Sequence, residues 1–269
     1  MSQPHIFVAT HHKAGTVWML TTFKRLAYAN KFRFYDLNDK IDNWMRHPER
    51  DVVFEALRAK TEQKSDRPAV FFDYHCQFPD LTACKETPGA VGLHIVRDPR
   101  DMLLSAVRFH LKADEPWLHI ADDRFGGLTY QQKLESYETL DDRIRFEMDY
   151  NMGWVIKKML AFKGQDVFRT VRYEDLIVDQ SLVLWHDICL GLGLGGQELI
   201  NGLDAFWRSS VFGGMKAVAE SGEHSHIKIA KPRQWQTMLG DTMIAEIEKR
   251  FGTQIQGLGY ELADSAQFV

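Results

Sequence analysis

Residues 6–20 read IFVATHHKAGTVWML. An apolar run passes through two histidines, a lysine and a glycine into a second apolar segment. There Trp18, Met19, Thr22, Phe23, Leu26 and Ala29 recur near one face at a period of 3.6, which predicts a helix over 16–30. The junction of strand and helix has two readings. One is a tight turn. The other is an anion-binding loop, because a helix N-terminus presents unpaired backbone N–H groups and a partial positive charge to phosphate or sulfate. In that second reading Gly15 lets the backbone approach the anion, Lys13 supplies a full charge and Thr16 a hydroxyl.

Working outward, strand-like runs occur at 6–10, 32–37, 69–74, 91–96 and 167–173, with helical spacing between them. Residues 100–111 predict one helix, and 130–162 are long enough for one substantial helix or two. Short apolar strands alternating with amphipathic helices favour an α/β fold, a P-loop-like three-layer α/β/α with a central, mostly parallel sheet. No repeat or linker interrupts the chain, so residues 1–269 are expected to form one domain. The polar, glycine-bearing segments 112–128 and 213–234 read as its mobile covers.

The 269 residues carry a formal charge of −4, which argues against dominant attraction to nucleic acid or an anionic membrane and leaves room for a local basic pocket. Three cysteines without metal-like spacing suit a reducing compartment better than a disulfide framework. Residues 1–5, MSQPH, have no signal-peptide character, and no apolar run reaches the ~18 residues of a membrane span. The expectation is a cytoplasmic protein.

A second strand–turn–helix junction lies at LHIVRDPRDMLLSAVRFH, residues 93–110. Pro99 fits a first helical turn and Asp98 its N-cap. Arg97 stands at the strand's end, with Ser105 about two turns into the helix. A guanidinium and a hydroxyl converging on one phosphate make chemical sense. The competing reading has Arg97, Asp98, Arg100 and Asp101 pairing only with one another, and for Arg100 and Asp101 it is preferred.

Together these stretches resemble the sulfotransferases that use 3′-phosphoadenosine 5′-phosphosulfate (PAPS). THHKAGTVW is similar to their 5′-phosphosulfate loop, P-K-S/T-G-T-T-W, and VRDPRDMLLS to their 3′-phosphate segment, R-D/N-P-R/K-D-x-x-x-S. VRYEDL (171–176) resembles the segment whose tyrosine lies near the adenine. KPRQWQTML, followed by IEKRFGTQIQGLGYEL, resembles the C-terminal basic lid and closing helix. There are departures. His12 replaces the usual proline, Ala14 a serine or threonine and Val17 a threonine, and the lid lacks its R-K-G triplet.

The resemblance implies metal-independent transfer of a sulfuryl group from PAPS to an acceptor hydroxyl, or less readily an amine, leaving 3′,5′-adenosine bisphosphate (PAP). It implies that Lys13 stabilises the leaving phosphate oxygen. Residues Lys13, Ala14, Gly15, Thr16, Val17 and Trp18 would wrap the 5′-phosphosulfate, and Trp18 would either stack near the adenine or join the core. Arg97 and Ser105 would hold the 3′-phosphate, Tyr173 would lie near the adenine, and Lys228, Lys231 or Arg233 would close from the lid. His75 is the expected general base, with Asp73 as a rival. Adjacent His11 and His12 point to opposite faces of an extended chain and do not readily chelate one ion. The alternatives are a P-loop-type nucleotide kinase or NTPase, or a catalytically silent nucleotide-binding protein. The acceptor, whether small molecule, glycan or lipid, is not legible, and neither is the oligomeric state.

Overall fold

The structure, a computed structural model, describes residues 5–37, 68–74, 89–163, 166–216 and 232–263. In chain order the first elements are β1 (Ile6–Ala9), α1 (Thr16–Ala29), β2 (Arg33–Asp36), β3 (Ala69–Asp73), β4 (Val91–Val96) and α2 (Pro99–His110). Two 3₁₀ turns, Pro116–His119 and Asp123–Phe125, precede α3 (Tyr130–Glu135), α4 (Leu140–Asp149) and α5 (Met152–Phe162). Then come β5 (Phe168–Arg172), α6 (Tyr173–Leu176), α7 (Val183–Gly191), α8 (Gly196–Ser209), α9 (Trp235–Met238) and α10 (Asp241–Gly257). By internal contacts these fall into two compact units, Met1–Val96 with Phe162–Ala230, and Arg97–Ala161 with Lys231–Val269.

The first unit holds a five-stranded sheet in the order β2-β3-β1-β4-β5, every pairing parallel. Side chains alternate across it. Ile6, Val8, Val70, Phe72, Leu93 and Ile95 face a core shared with α1, α7 and α8, whose centre is Trp185 stacked on Phe206 at 4.3 Å. Phe7, Ala9, Ala69 and Phe71 join the opposite cluster, with Phe162 and Phe168. Burial on both faces explains why these strands read as continuous apolar runs rather than alternating ones. Connections leave β1 toward β2 on one side and β4 toward β5 on the other. The carboxyl ends of these neighbours therefore mark the divergence outside which open α/β sheets bind ligands.

In the second unit α2 begins where its sequence says it should, with Asp98 as N-cap accepting the Arg100 N–H and Pro99 at the first position. The stretch 130–162 forms three helices, more than the one or two expected. A capping box at Thr129 starts α3, and the Thr139 hydroxyl caps α4. The α4–α5 break is tight, since a β-carbon on Gly153 would lie 2.0 Å from the Met148 carbonyl oxygen. Segment 112–128 carries the two 3₁₀ turns, and its Leu118 and Phe125 are buried against Tyr130, Leu134 and Phe146. Below them, Glu147 accepts from the Tyr130 hydroxyl at 3.0 Å and pairs with His110 at 2.6 Å, all three buried. Of segment 213–234, residues 217–231 lie outside the described residues.

Candidate functional site

The loop after β1 turns sharply. Lys13 (φ 65°) and Gly15 (φ 89°) both have left-handed backbones, and the Ala14 N–H donates to the His11 carbonyl at 2.9 Å. Left-handed residues among right-handed ones make backbone N–H groups converge, the geometry of an anion nest. Gly15 is the N-cap of α1 and supplies no side-chain cap, so no side chain of its own fills the mouth of the helix. Glycine is required there twice over, by its φ and because an added β-carbon would lie 2.7 Å from Cδ2 of Tyr173. Tyr173 in turn meets the edge of Trp18, with ring centroids 6.0 Å apart.

Beneath the loop the structure differs from two simple readings. The Thr16 hydroxyl donates to the His11 carbonyl at 3.0 Å and sits 3.0 Å from the Thr10 hydroxyl. In this arrangement Thr16 offers an anion its backbone N–H rather than its side chain. His11 turns into the interior, where its Nε2 meets Nε2 of His94 at 2.8 Å, and His94 Nδ1 lies 3.2 Å from the Thr170 hydroxyl. Burial, reinforced by the charge of Lys163, lowers the His94 pKa to about 3. The pair, with His94 held neutral, ties the start of the loop to β4. Ala14 is fully buried, so the methyl that replaces the family's hydroxyl packs inward.

In the second unit, Arg97 is buried at the foot of α2. Asp101, Ser105 and Arg108 follow at helical spacing and share one face of α2. The Asp101 carboxylate accepts the backbone N–H of Arg233 at 2.7 Å and of Trp235 at 2.9 Å. Burial raises its pKa, with Arg97 and these two donors opposing. Arg100 forks onto Asp98, bonds Glu248 at 2.6 Å and the Glu261 carbonyl at 2.8 Å, and stacks over Trp235 at 3.7 Å. The expectation that Arg100 and Asp101 only pair locally holds for Arg100 with Asp98 and otherwise fails, because both also fasten the C-terminal tail. A one-residue step in a helix reveals nothing of partners 130 residues away.

The sequence matches the sulfotransferase domain family over residues 3–259, nearly the whole chain. The chain belongs to that family. It is a PAPS-dependent sulfotransferase, favoured over a kinase or a silent nucleotide binder. Solved structures agree on the fold. Mouse sulfotransferase SULT7A1, solved with PAP, is 14% identical with a TM-score of 0.58, the match covering 94% of this chain and 84% of that one. Retinol dehydratase, solved with androsterone and PAP, is 15% identical with a TM-score of 0.50, over 97% and 83%. No curated protein matches the chain in sequence.

Within the sulfotransferase the structure brings Gly15, Trp18 and Tyr173 together in one unit, and aligns Ser105 with Asp101, which holds Arg233, in the other. Trp18 also packs on Phe206 at 5.0 Å, so it belongs to the core cluster, while its buried Nε1 has no hydrogen-bond partner among the described residues. Val17 is exposed. Asp73 is fully buried at the end of β3. His75, Lys228 and Lys231 lie outside the described residues. His94 and Arg108 were missed by sequence reasoning. The first left no local signal, but Arg108 was legible as the third member of the 101–105–108 spacing.

Proposed function

We propose that this sulfotransferase moves the sulfuryl group of PAPS in line onto an acceptor hydroxyl, with the loop after β1 gripping the phosphosulfate. The acceptor oxygen attacks sulfur as the bond from sulfur to the 5′-phosphate oxygen breaks. Charge develops on that leaving oxygen, and Lys13 with the backbone N–H groups of Gly15 to Trp18 stabilises it. Preorganised charge and positioning, rather than covalent chemistry, then carry the rate. Arg97 and Ser105 hold the 3′-phosphate, Tyr173 lies near the adenine, and Lys228, Lys231 or Arg233 closes from the lid. The acceptor's proton passes to His75, with Asp73 as the rival base.

The observation that carries this reading is the pair of left-handed residues, Lys13 and Gly15, at the uncapped start of α1. The acceptor is a small molecule, a glycan or a lipid headgroup bearing a hydroxyl. Residues 1–269 serve as one sulfotransferase domain, with 112–128 and 213–234 as its covers, working in the cytoplasm. No described helix is long and apolar enough to cross a membrane. The test is stabilisation by PAP without Mg²⁺ in a thermal-shift assay, followed by transfer of labelled sulfate from PAPS to a panel of hydroxyl acceptors. A shift confined to Mg·ATP would overturn the reading.

A further inference from the structure

On α2, Asp101 and Arg108 hold the tail around the start of α9, while Arg100 holds residues further along it. Asp101 takes the N–H groups of Arg233 and Trp235, and Arg108 Nη1 donates to the Gln234 side-chain oxygen at 2.7 Å. Ser105 lies between them on the same face of the helix. The Ser105 hydroxyl has no hydrogen-bond partner among the described residues.

Asp98 is taken up by Arg100, as is Glu248. Each oxygen of Asp101 accepts a backbone N–H. Among the described residues Arg108 has only neutral partners, the Gln234 amide oxygen and the Met238 sulfur, and none of the described carboxylates forms an ion pair with it. Burial lowers its pKa, and the positive charge of Arg97 adds to that while Asp101 opposes it. Arg97 lies near enough for its charge to act on Arg108, and the carboxylate between them, Asp101, is already committed to the tail. A half-buried guanidinium bonded only to neutral acceptors gains most from an anion that can take its fork.

We propose that Arg108 is a further ligand of the nucleotide's 3′-phosphate, beside Arg97 and Ser105, and that it sets the preference for a 3′-phosphorylated donor. This rests on the assignment of Arg97 and Ser105 to that phosphate. The 3′-phosphate carries close to two charges at neutral pH, so Arg97 alone leaves it incompletely neutralised and a second fork completes the match. Gln234, held by Arg108, becomes the support that keeps the guanidinium extended along α2. Arg108 thereby couples the tail to the occupancy of the phosphate site.

The experiment compares PAP with adenosine 5′-monophosphate, which differ only in the 3′-phosphate, by isothermal titration on the full chain. Arg108→Met keeps an unbranched side chain without the charge, and Arg108→Lys keeps the charge without the fork. The expected result is a loss of at least tenfold in PAP affinity for Arg108→Met, an intermediate loss for Arg108→Lys, and unchanged affinity for the monophosphate in both. Unchanged PAP affinity in Arg108→Met overturns the proposal. So does an equal loss for both ligands, which would make Arg108 a structural residue. If Arg108→Met does not fold, Arg108→Lys decides by the same comparison. Arg97→Ala separates the two levels. Should it also leave the preference for PAP intact, the 3′-phosphate assignment itself falls, and the role of Arg108 with it.

Discussion

The ring of Tyr173 occupies the space into which a β-carbon on Gly15 would project, with Cδ2 only 2.7 Å from that point. A residue opening α6 thus fixes how closely the backbone of the first loop is packed from behind, while its ring stands perpendicular to that of Trp18. The loop's conformation is set from two sides, by Tyr173 and by the His11–His94 pair.

Gly15→Ala combines left-handed backbone strain, about 1–2 kcal/mol, with this collision. The unfolding free energy in urea is expected to fall by about 2 kcal/mol or more. Adding Tyr173→Ala relieves the collision but not the strain, so the double variant loses less than the sum of the singles. Strict additivity would show that the ring is not the obstacle.

Lys13→Ala replaces one L-residue by another at φ 65°, so it adds little strain. The melting temperature is expected to stay near that of the parent, while kcat for labelled sulfate transfer drops by at least about 10²-fold. Parent-like turnover would remove Lys13 from the mechanism.

Asp101→Asn leaves one side-chain oxygen where two backbone donors now bind. We expect a loss of about 1–3 kcal/mol in stability and faster hydrogen exchange at the amides of Arg233 and Trp235 in particular. Exchange unchanged at both amides would mean that the tail is held by other contacts.

The His94 pKa, lowered to about 3 by burial and by Lys163, fixes a pH dependence. Between pH 3 and the ordinary histidine value of about 6.5, the unfolded chain binds a proton at this position that the folded chain does not. Stability contributed by the neutral imidazole is therefore complete above about 6.5 and lost as pH falls toward 3. Relative to the parent, His94→Gln should flatten the fall of unfolding free energy with acid over that window. Equal slopes would place the proton uptake elsewhere.

Much of this architecture was legible because it is local. β1 is an apolar run, β3 and β4 are apolar but for Asp73 and His94, and α2 announces itself with Asp98 and Pro99. The loop's lysine and glycine were readable for the same reason, since φ preferences and helix ends are properties of neighbouring residues. What stayed hidden depends on distant partners. His11 and His94 are 83 residues apart, and Asp101 lies more than 130 residues from the amides it holds. The three helices of 130–162 were hidden differently, because the Thr139 cap and the closeness of Gly153 to the Met148 carbonyl divide a segment whose polarity alone does not.

The place of β1 has a consequence for synthesis on the ribosome. Of the described strands β1 is made before the others, yet its two neighbours in the sheet begin only at Ala69 and Val91. β2, the next strand made, pairs with β3 and not with β1. No nascent chain that stops short of His94 can complete both flanks of β1, so the loop carrying Lys13 has no finished scaffold until both β3 and β4 have been translated. Long-range parallel pairing of this kind folds slowly and leaves apolar strands exposed in the interim, which makes the early chain a natural client for chaperones.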